Sequence, residues 1–461
     1  MSSTIFALSS GLARCAIAMI RVSGPNSKLV LSQLAKFKKL PLPRTAFVRR
    51  FVHPTTMEHL DTGIVLWFPS PKSYTGEDSC ELHVHGSPAV VKAVLDALEK
   101  VEPRGCLRHA EAGEFTRRAY LNGKLDLCQV EGLAELLQAQ TEAQRVQALR
   151  HADGQLSRLS KVWAGRLTQC VAHLEAFIDF SEEHSDAARG NMLDIARKRA
   201  EELAKELEAQ LGDGRRGERL RSGVRVALLG RPNAGKSSIF NVLCRREAAI
   251  VSPKAGTTRD IVEASLDIGG FPVQLGDTAG LSRRAKDPIE RQGVARARSW
   301  AAASDLLLLV GDCRRGVREL EQLSATLPTD LPRLLVLNKC DLLEQADLRT
   351  LAETCESPGQ PCMLVSCRTG SGIAELVWAL ALQVAPLCSS SEATAGSPIS
   401  ERQQRILNYC LESVQQATLH EQPDIMAEFL RRALVHLGQL VGHISTEDLL
   451  DCIFRDFCVG K

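Results

Sequence analysis

Five short segments in the middle of the chain carry residue types and spacings suited to a nucleoside triphosphate. They are Gly230-Arg-Pro-Asn-Ala-Gly-Lys-Ser237, Gly256-Thr-Thr-Arg-Asp260, Asp277-Thr-Ala-Gly280, Asn338-Lys-Cys-Asp341 and Ser366-Cys367. In the first, the glycines at 230 and 235 let the backbone curl so that several N–H groups face phosphate oxygens. The predicted contact run is Asn233, Ala234, Gly235, Lys236, Ser237 and Ser238. Lys236 brings a point charge to the β- and γ-phosphates, and the Ser237 hydroxyl suits Mg²⁺. A helix starting near Ser237 would put its positive end under the anion.

Asp277, followed by Thr278, Ala279 and Gly280, is placed to hold Mg²⁺, and the Gly280 N–H to reach the γ-phosphate. Thr258 reads as the switch threonine that closes on Mg²⁺ while the γ-phosphate is present. Base identity rests on Asn338, Lys339 and Asp341. One carboxylate can accept from guanine N1–H and N2–H₂ together, whereas adenine offers neither donor there. Ser366 and Cys367 offer backbone N–H to guanine O6. Together the five segments predict GTP, and they exclude a generic P-loop ATPase.

One position departs from the Ras-type pattern. There the glutamine that orients the attacking water follows the Asp-Thr-Ala-Gly segment. This chain has Leu281, which cannot hold a water. Asn233 is a candidate to compensate, through a monovalent cation beside the phosphates. Read from the residues alone it equally suits a tight turn, and both readings stand.

The elements that must position these groups follow from hydrophobic patterning. Apolar runs at Val224–Leu229, Phe271–Gly276 and Leu334–Leu337 predict buried strands ahead of the P-loop, Asp277 and Asn338. Toward the N-terminus, runs at Ile5–Leu8, Ala16–Val22, Gly63–Phe68 and Cys80–Val84 predict strands, with a helix over Ala89–Lys100. No proline occurs between Arg104 and Arg231, and helical spacing runs through Gln129–Arg150, Leu156–Phe180 and Asn191–Leu211. A small-residue linker, Ser389–Pro398, precedes a further helical pattern over 399–458.

With 461 residues the chain is too long for one core. The expected organisation is a multidomain α/β plus α fold. An N-terminal α+β domain spans 1–119, and a Ras-like P-loop GTPase domain at 223–385 is inserted into a discontinuous helical bundle of 120–222 and 386–461. A nucleotide domain fits such an insertion because domain termini often lie close together.

A net charge of +2 provides no global field for nucleic acid. The densest basic run, Arg215–Arg225, reads as an RNA patch or, more simply, as a solvated linker face. Fifteen cysteines, scattered and without a Cys-x-x-Cys pair, fit reduced thiols in a cytosol-like compartment or mitochondrial matrix. No stretch predicts a membrane span, and the start has no cationic-then-apolar signal, so any transit peptide is expected to be removed or never present. His83 and His85 share one strand face and read as packed or hydrogen-bonded residues before metal ligands.

The ending Phe454-Arg-Asp-Phe-Cys-Val-Gly-Lys461, with the five segments above, resembles the MnmE (TrmE) family of tRNA-modification GTPases. So do Ile20-Arg-Val-Ser-Gly24, Trp67-Phe-Pro, Tyr74-Thr-Gly-Glu-Asp78, Glu81-Leu-His-Val-His-Gly86, Ala112-Gly-Glu-Phe-Thr-Arg117 and Asn122-Gly-Lys-Leu-Asp126. The cysteines and the Ile5–Gly11 opening look like the eukaryotic mitochondrial member.

The resemblance implies a homodimer paired through N-terminal domains that bind a tetrahydrofolate one-carbon carrier, 5-formyl- or 5,10-methylene-substituted. The positions matching the folate contacts are Arg21, Glu81, Lys124 and Lys461. Cys458 matches the cysteine of the terminal Cys-x-Gly-Lys; it is a candidate nucleophile or proton donor, or a packed thiol.

The resemblance also implies K⁺-stimulated hydrolysis. K⁺ would be held by Asn233, Ser252, Lys254 and Thr257, Mg²⁺ by Ser237, Thr258 and Asp277, and the water by Glu290. Catalysis would thus rest on Glu290, Lys236 and, at the folate site, Cys458. Two departures mark the switch region. Ser282 stands where the family commonly has arginine, and the segment to Glu290 is one residue longer than the bacterial pattern.

The implied role is modification of wobble uridine 34 of tRNA, by a carboxymethylaminomethyl- or taurinomethyl-type group at carbon 5. It would be carried out with an FAD-dependent MnmG-type partner, FAD residing on that partner. The expected location is the mitochondrial matrix, or the cytoplasm for a bacterial chain. A rival of another class is a regulatory or assembly GTPase that binds RNA or ribosomal particles without one-carbon chemistry. It leaves the N-terminal domain and the terminal Cys-Val-Gly-Lys unexplained.

Overall fold

Alternation with a period of two explains how the central strands face two layers of helix at once. In the computed structural model, Val224, Val226 and Leu228 join one core with Leu306, Leu308, Leu334 and Val336. Their neighbours Ala227, Leu229, Leu307, Leu309, Leu335 and Leu337 join a second core on the opposite face. Each of these buried valines and leucines contributes about 1.5–3 kcal/mol by leaving water. The structure describes residues 3–11, 13–179, 186–212, 214–246, 249–250, 262–277, 303–327, 331–355, 362–388, 399–442, 450, 453–454, 457 and 459–460.

The chain forms two compact units, one of 1–134, 151–162 and 437–461, the other of 135–150 and 163–436. The first holds strands β1 (Thr4–Leu8), β2 (Ile17–Ser23), β3 (Phe47–Val52), β4 (His59–Phe68), β5 (Ser79–His85) and β6 (Leu107–His109). Their order is β3-β4-β5-β2-β1-β6. Neighbours are antiparallel apart from β1 and β6, which run parallel.

Three helices accompany this sheet, α1 (Ser27–Gln33), α2 (Pro88–Leu98) and α3 (Glu114–Leu121). α2 begins where its residues dictate: the Ser87 hydroxyl accepts from the Val90 N–H and Pro88 opens the first turn. Ile20, Val22, Cys80, Leu82 and Val84 point into the core with Phe51, Trp67 and Leu98. Arg21, Glu81 and His83 therefore lie on the other face. β3, β6 and α1 are additional to the elements expected from the sequence. β3 is an edge strand whose Arg49 and Arg50 interrupt its apolar pattern.

Helices α4 (Leu127–Gln138), α5 (Glu142–Ala152), α6 (Gln155–Asp179), α7 (Asp186–Gly212) and α8 (Gly214–Ser222) follow. The single helix expected over Gln129–Arg150 is thus two. The break has a local cause: the Gln144 Oε1 accepts from the Thr141 N–H at 3.1 Å while the Thr141 hydroxyl accepts from the Gln144 N–H at 3.4 Å. This reciprocal cap starts a helix anew.

The nucleotide-type sheet has the order β13-β12-β11-β7-β10-β9-β8. Its strands are β7 (Val224–Leu229), β8 (Ala249–Ile250), β9 (Val262–Ile268), β10 (Phe271–Asp277), β11 (Leu306–Asp312), β12 (Arg333–Asn338) and β13 (Cys362–Leu364). All but β9 run in one direction; β9 pairs antiparallel with both β10 and β8. The helices are α9 (Lys236–Arg246), α10 (Arg318–Ala325), α11 (Gln345–Cys355) and α12 (Ile373–Cys388), then α13 (Glu401–Leu419) and α14 (Pro423–Val441). α9 and α12 cover one sheet face, α10 and α11 the other.

The Arg215–Arg225 run is no linker. It forms most of α8, whose Leu220 enters the sheet core. Arg219 Nε donates to Asp305 at 2.7 Å and Arg221 Nη2 to the Ile399 carbonyl at 3.1 Å. α13 is opened by a capping box between Ser400 and Gln403, and it packs on α7. Trp163 of α6, fully buried, donates its indole N–H to Glu206 of α7 at 3.0 Å.

Candidate active site

The P-loop leaves β7 at Leu229 and enters α9 at Lys236. A side chain at Gly230 would run into the Val310 carbonyl, and one at Gly235 into the Asn338 amide, so only glycine allows the approach. Lys236 is buried, and its ammonium donates to the carbonyls of Gly230 at 2.7 Å and Arg231 at 2.9 Å. The ammonium thus lies inside the curl of the loop at the N-terminus of α9, where backbone N–H groups and helix dipole favour an anion. Ser237 and Ser238 follow in the first turn, and Ala234 is buried beneath the loop.

Asn233 has φ +63°, a left-handed conformation asparagine tolerates better than most residues. Its side chain is exposed and makes no hydrogen bond among the described residues. The backbone thus accounts for an asparagine at the turn, while its carboxamide is available to a ligand.

The base-recognition loop is braced from three sides. Buried Asn338 donates from Nδ2 to the Ala234 carbonyl at 3.2 Å and accepts at Oδ1 from the N–H groups of Lys339 at 2.8 Å and Cys367 at 3.3 Å. Lys339, at φ +70°, donates from Nζ to the Asn233 carbonyl at 2.6 Å and to Asp312 Oδ2 at 2.9 Å. Asp341 Oδ1 accepts from the Ser366 hydroxyl at 2.6 Å, which orients the carboxylate. The Ser366 N–H is engaged by the Ser371 carbonyl at 2.9 Å. Between the two backbone donors expected for guanine O6, Cys367 has the weaker internal bond.

Asp312 was not among the residues the sequence singled out. It ends β11 and ties the base loop to the P-loop through Lys339. Arg314 donates to it from Nε and Nη2, and Lys339 adds a second cation, which together hold the carboxyl well below the usual carboxylate range. Its signal was an acidic residue at the C-terminal end of a wholly buried apolar run, Leu306–Gly311. That is where ligand-facing groups of parallel sheets lie.

Asp277 ends β10 opposite Leu228, at the same sheet edge as the P-loop. Its side chain lies outside the described residues, as do Ser252, Lys254, Thr257, Thr258, Thr278, Ala279, Gly280 and Glu290. The donor set that is described fits a magnesium nucleotide: a buried ammonium, a helix N-terminus, a hydroxyl at Ser237 and a held carboxylate at Asp341.

A second polar cluster lies on the N-terminal sheet. Arg21 and Glu81 face each other across β2 and β5, with Nε and Nη2 of Arg21 donating to Glu81 Oε1 at 3.2 and 3.1 Å. The guanidinium also lies over the Tyr74 ring at 5.0 Å and the Phe115 ring at 5.8 Å. Tyr74 bonds Thr116 at 2.9 Å, and burial pushes its phenol up. Arg21 Nη1 and His83 Nε2 are buried without a hydrogen-bond partner, although His83 Nε2 lies 3.6 Å from Glu81 Oε2.

Two orphaned polar atoms beside a carboxylate and an aromatic wall fit a heterocyclic ligand with donors and acceptors. Lys124 Nζ donates to the Pro71 carbonyl at 3.2 Å. Cys458 and Lys461 lie outside the described residues; between them, Val459 bridges Ala112 and the Gly460 carbonyl accepts from Ser9. A cavity of about 710 Å³ nearby is lined by Arg108, Arg117, Arg118, Glu77, Asn122 and Phe454 among others, not by Arg21, Glu81 or Lys124. His85 pairs with Asp61 at 2.8 Å, and no cluster of three metal-ligating side chains occurs among the described residues.

The chain matches the family model described as "GTP-binding protein TrmE N-terminus" over residues 4–124 and that described as "MnmE helical domain" over residues 127–458. It is 45% identical over 478 residues to the mitochondrial 5-taurinomethyluridine tRNA synthase subunit GTPB3 of Danio rerio, covering 99% of this chain and 93% of that protein. To the Homo sapiens protein of the same name it is 46% identical, with 99% and 93% covered. The tRNA modification GTPase MnmE of Parvibaculum lavamentivorans is 45% identical, with 99% and 100% covered. Full-length identity at this level, joined to the guanine-nucleotide geometry, means that the chain belongs to the MnmE/TrmE family of tRNA-modification GTPases.

Proposed function

We propose that this protein is a K⁺-stimulated GTPase that serves modification of wobble uridine 34 of tRNA with a tetrahydrofolate one-carbon donor and an FAD-dependent partner. The observation that carries the reading is Asn233. Its backbone is fastened to the base loop through Lys339, while its carboxamide stays open beside the phosphate-binding curl. Leu281 cannot orient water, so charge developing on the phosphates needs another counter-charge.

When bound, Mg²⁺ and K⁺ would supply that charge. Ser237, Thr258 and Asp277 would hold Mg²⁺; Asn233, Ser252, Lys254 and Thr257 would hold K⁺; Glu290 would orient the water. Lys236 holds the β- and γ-phosphates. Asp341 recognises the guanine edge, and Asn338 and Lys339 keep its loop against the P-loop. The Gly280 N–H reports the γ-phosphate to the switch segments.

At the second site, Arg21, Glu81, Lys124 and Lys461 would bind the folate, with Cys458 beside it. The orphaned Arg21 Nη1 supports a ligand acceptor there. Homodimer formation through the N-terminal sheet is supported by its outward apolar side chains Val48, Ile64 and Ile17, which are 67%, 37% and 62% exposed. The group installed follows the taurinomethyl type of the GTPB3 relatives or the carboxymethylaminomethyl type, in mitochondria or in a bacterial cytoplasm respectively. No helix among the described residues is long and apolar enough to cross a membrane.

GTP turnover in K⁺ against Na⁺, run alongside 5-formyl-tetrahydrofolate binding, tests the reading. We expect K⁺-dependent turnover and saturable folate binding; absence of both overturns it. Asn233→Ala should abolish K⁺ stimulation while leaving GDP affinity within about threefold. Stimulation that survives removes Asn233 from the cation site.

A further inference from the structure

Cys355 ends α11 and Cys362 begins β13, and their sulfur atoms lie 3.0 Å apart. Both thiols are free and half-buried, so a small reagent can reach them. We propose that Cys355 and Cys362 are a redox-active dithiol that closes to a disulfide under glutathione disulfide and staples α11 to the strand that enters the guanine-binding loop.

The surroundings of Cys355 set it apart from several other thiols. Cys313, Cys367, Cys388 and Cys410 are each pushed up by burial, to between about 11 and about 12, and hold little thiolate at neutral pH. Cys355 is pushed down instead, by the hydrogen bond its thiol shares with Cys362 at 3.0 Å. Cys362 is pushed up by the same contact, by burial and by the negative charge of Cys355 and Glu321. The 3.0 Å approach of the two sulfurs lets either one resolve a mixed disulfide formed on the other.

The chemistry closes without a further reactant. The Cys355 thiolate attacks one sulfur of glutathione disulfide, breaking its S–S bond and releasing a glutathione thiolate. Cys362 then loses its proton to that thiolate and attacks the Cys355 sulfur, expelling the second glutathione as thiolate. Two protein thiols are oxidised and one glutathione disulfide is reduced to two glutathiones.

The consequence for the site follows from the register. Cys362 pairs with Leu335 and Leu364 with Leu337, and the Val365 N–H continues the ladder to the Leu337 carbonyl at 2.9 Å. Ser366 and Cys367 come next, holding Asp341 and Asn338. β13 is a three-residue edge strand, the kind of element that opens locally at low cost. Tying its first residue to α11 removes part of that opening and slows release of the base.

The test uses the full chain loaded with fluorescent N-methylanthraniloyl-GDP and stepped ratios of glutathione disulfide to glutathione. Non-reducing peptide mapping should show a Cys355–Cys362 disulfide, two hydrogens lighter than the dithiol. Nucleotide release should slow about threefold to tenfold, as restricted local opening implies, and dithiothreitol should restore it. Cys355→Ser and Cys362→Ser should each abolish the slowing. If excess glutathione disulfide leaves both thiols unlinked in protein that still binds GDP, the dithiol is refuted. If the disulfide forms and release is unchanged, or a serine variant slows like wild type, the link to the guanine loop is refuted. Failure to bind GDP at all would instead count against the guanine site.

Discussion

At the scale of single residues, the proposed guanine recognition depends on orienting side chains outside the expected base contact. Ser366 holds Asp341, and Asp312 holds Lys339. Ser366→Ala removes one charge-assisted hydrogen bond and frees the carboxylate to rotate. It should weaken GDP binding by about 1.5–3 kcal/mol, read by calorimetry. Asp312 lends itself to a pH test. Its folded carboxyl titrates below the ordinary value of about 3.9, so its stabilising contribution is complete above that value and is lost only as pH falls through the folded pKa. The stability gap between wild type and Asp312→Asn should therefore stay constant between about pH 5 and 8 and shrink below about pH 4. A gap that already shrinks at pH 6 would mean that Asp312 is not held by Arg314 and Lys339.

Single elements carry their own start and stop instructions, and several were legible. Ser87-Pro88 opens α2, Ser400 with Gln403 opens α13, and the P-loop strand runs from Val224 to Leu229 as its apolar residues indicate. Ser400→Ala should cost about 1 kcal/mol, measured as a lower urea midpoint at unchanged slope. The pattern was less informative where competing signals overlapped. Thr141 and Gln144 divide what reads as one amphipathic stretch, because a reciprocal cap outweighs continuous apolar spacing. The arginine-rich run before β7 resembled a solvated face. Leu220 alone among its charges marks the buried side, and the partners Asp305 and Ile399 are distant in sequence.

At the scale of the whole molecule, the N-terminal sheet has α1 and α2 packed on one face and carries exposed apolar side chains, Val48 and Ile64 among them, on the other. Val48 and Ile64 are register partners on β3 and β4, so they form one patch rather than scattered exposures. Replacing both with aspartate should convert a dimer to monomers in light scattering while GDP binding persists. A dimer that survives assigns the interface elsewhere. The double variant also tests whether the proposed K⁺ stimulation depends on dimerisation, read as turnover in K⁺ against Na⁺.

The sequence by itself determined that this is a guanine-nucleotide enzyme. Base and phosphate recognition use short contiguous segments in which chemistry and spacing are local, so Lys236, Asn338 and Asp341 could be proposed without coordinates. It also carried the order of the strands in the chain and the family likeness of both flanks. Only the tertiary structure decided which remote groups brace that site. Asp312 against Lys339 and Asn338 against Ala234 join strand ends to neighbouring loops, and Arg21 against Glu81 joins two strands; all are set by sheet order and register rather than by spacing along the chain. The approach of Cys355 to Cys362 is of the same kind. A helix end and a strand start meet there because the parallel sheet packs its next helix back across its face, and no motif in the sequence announces it.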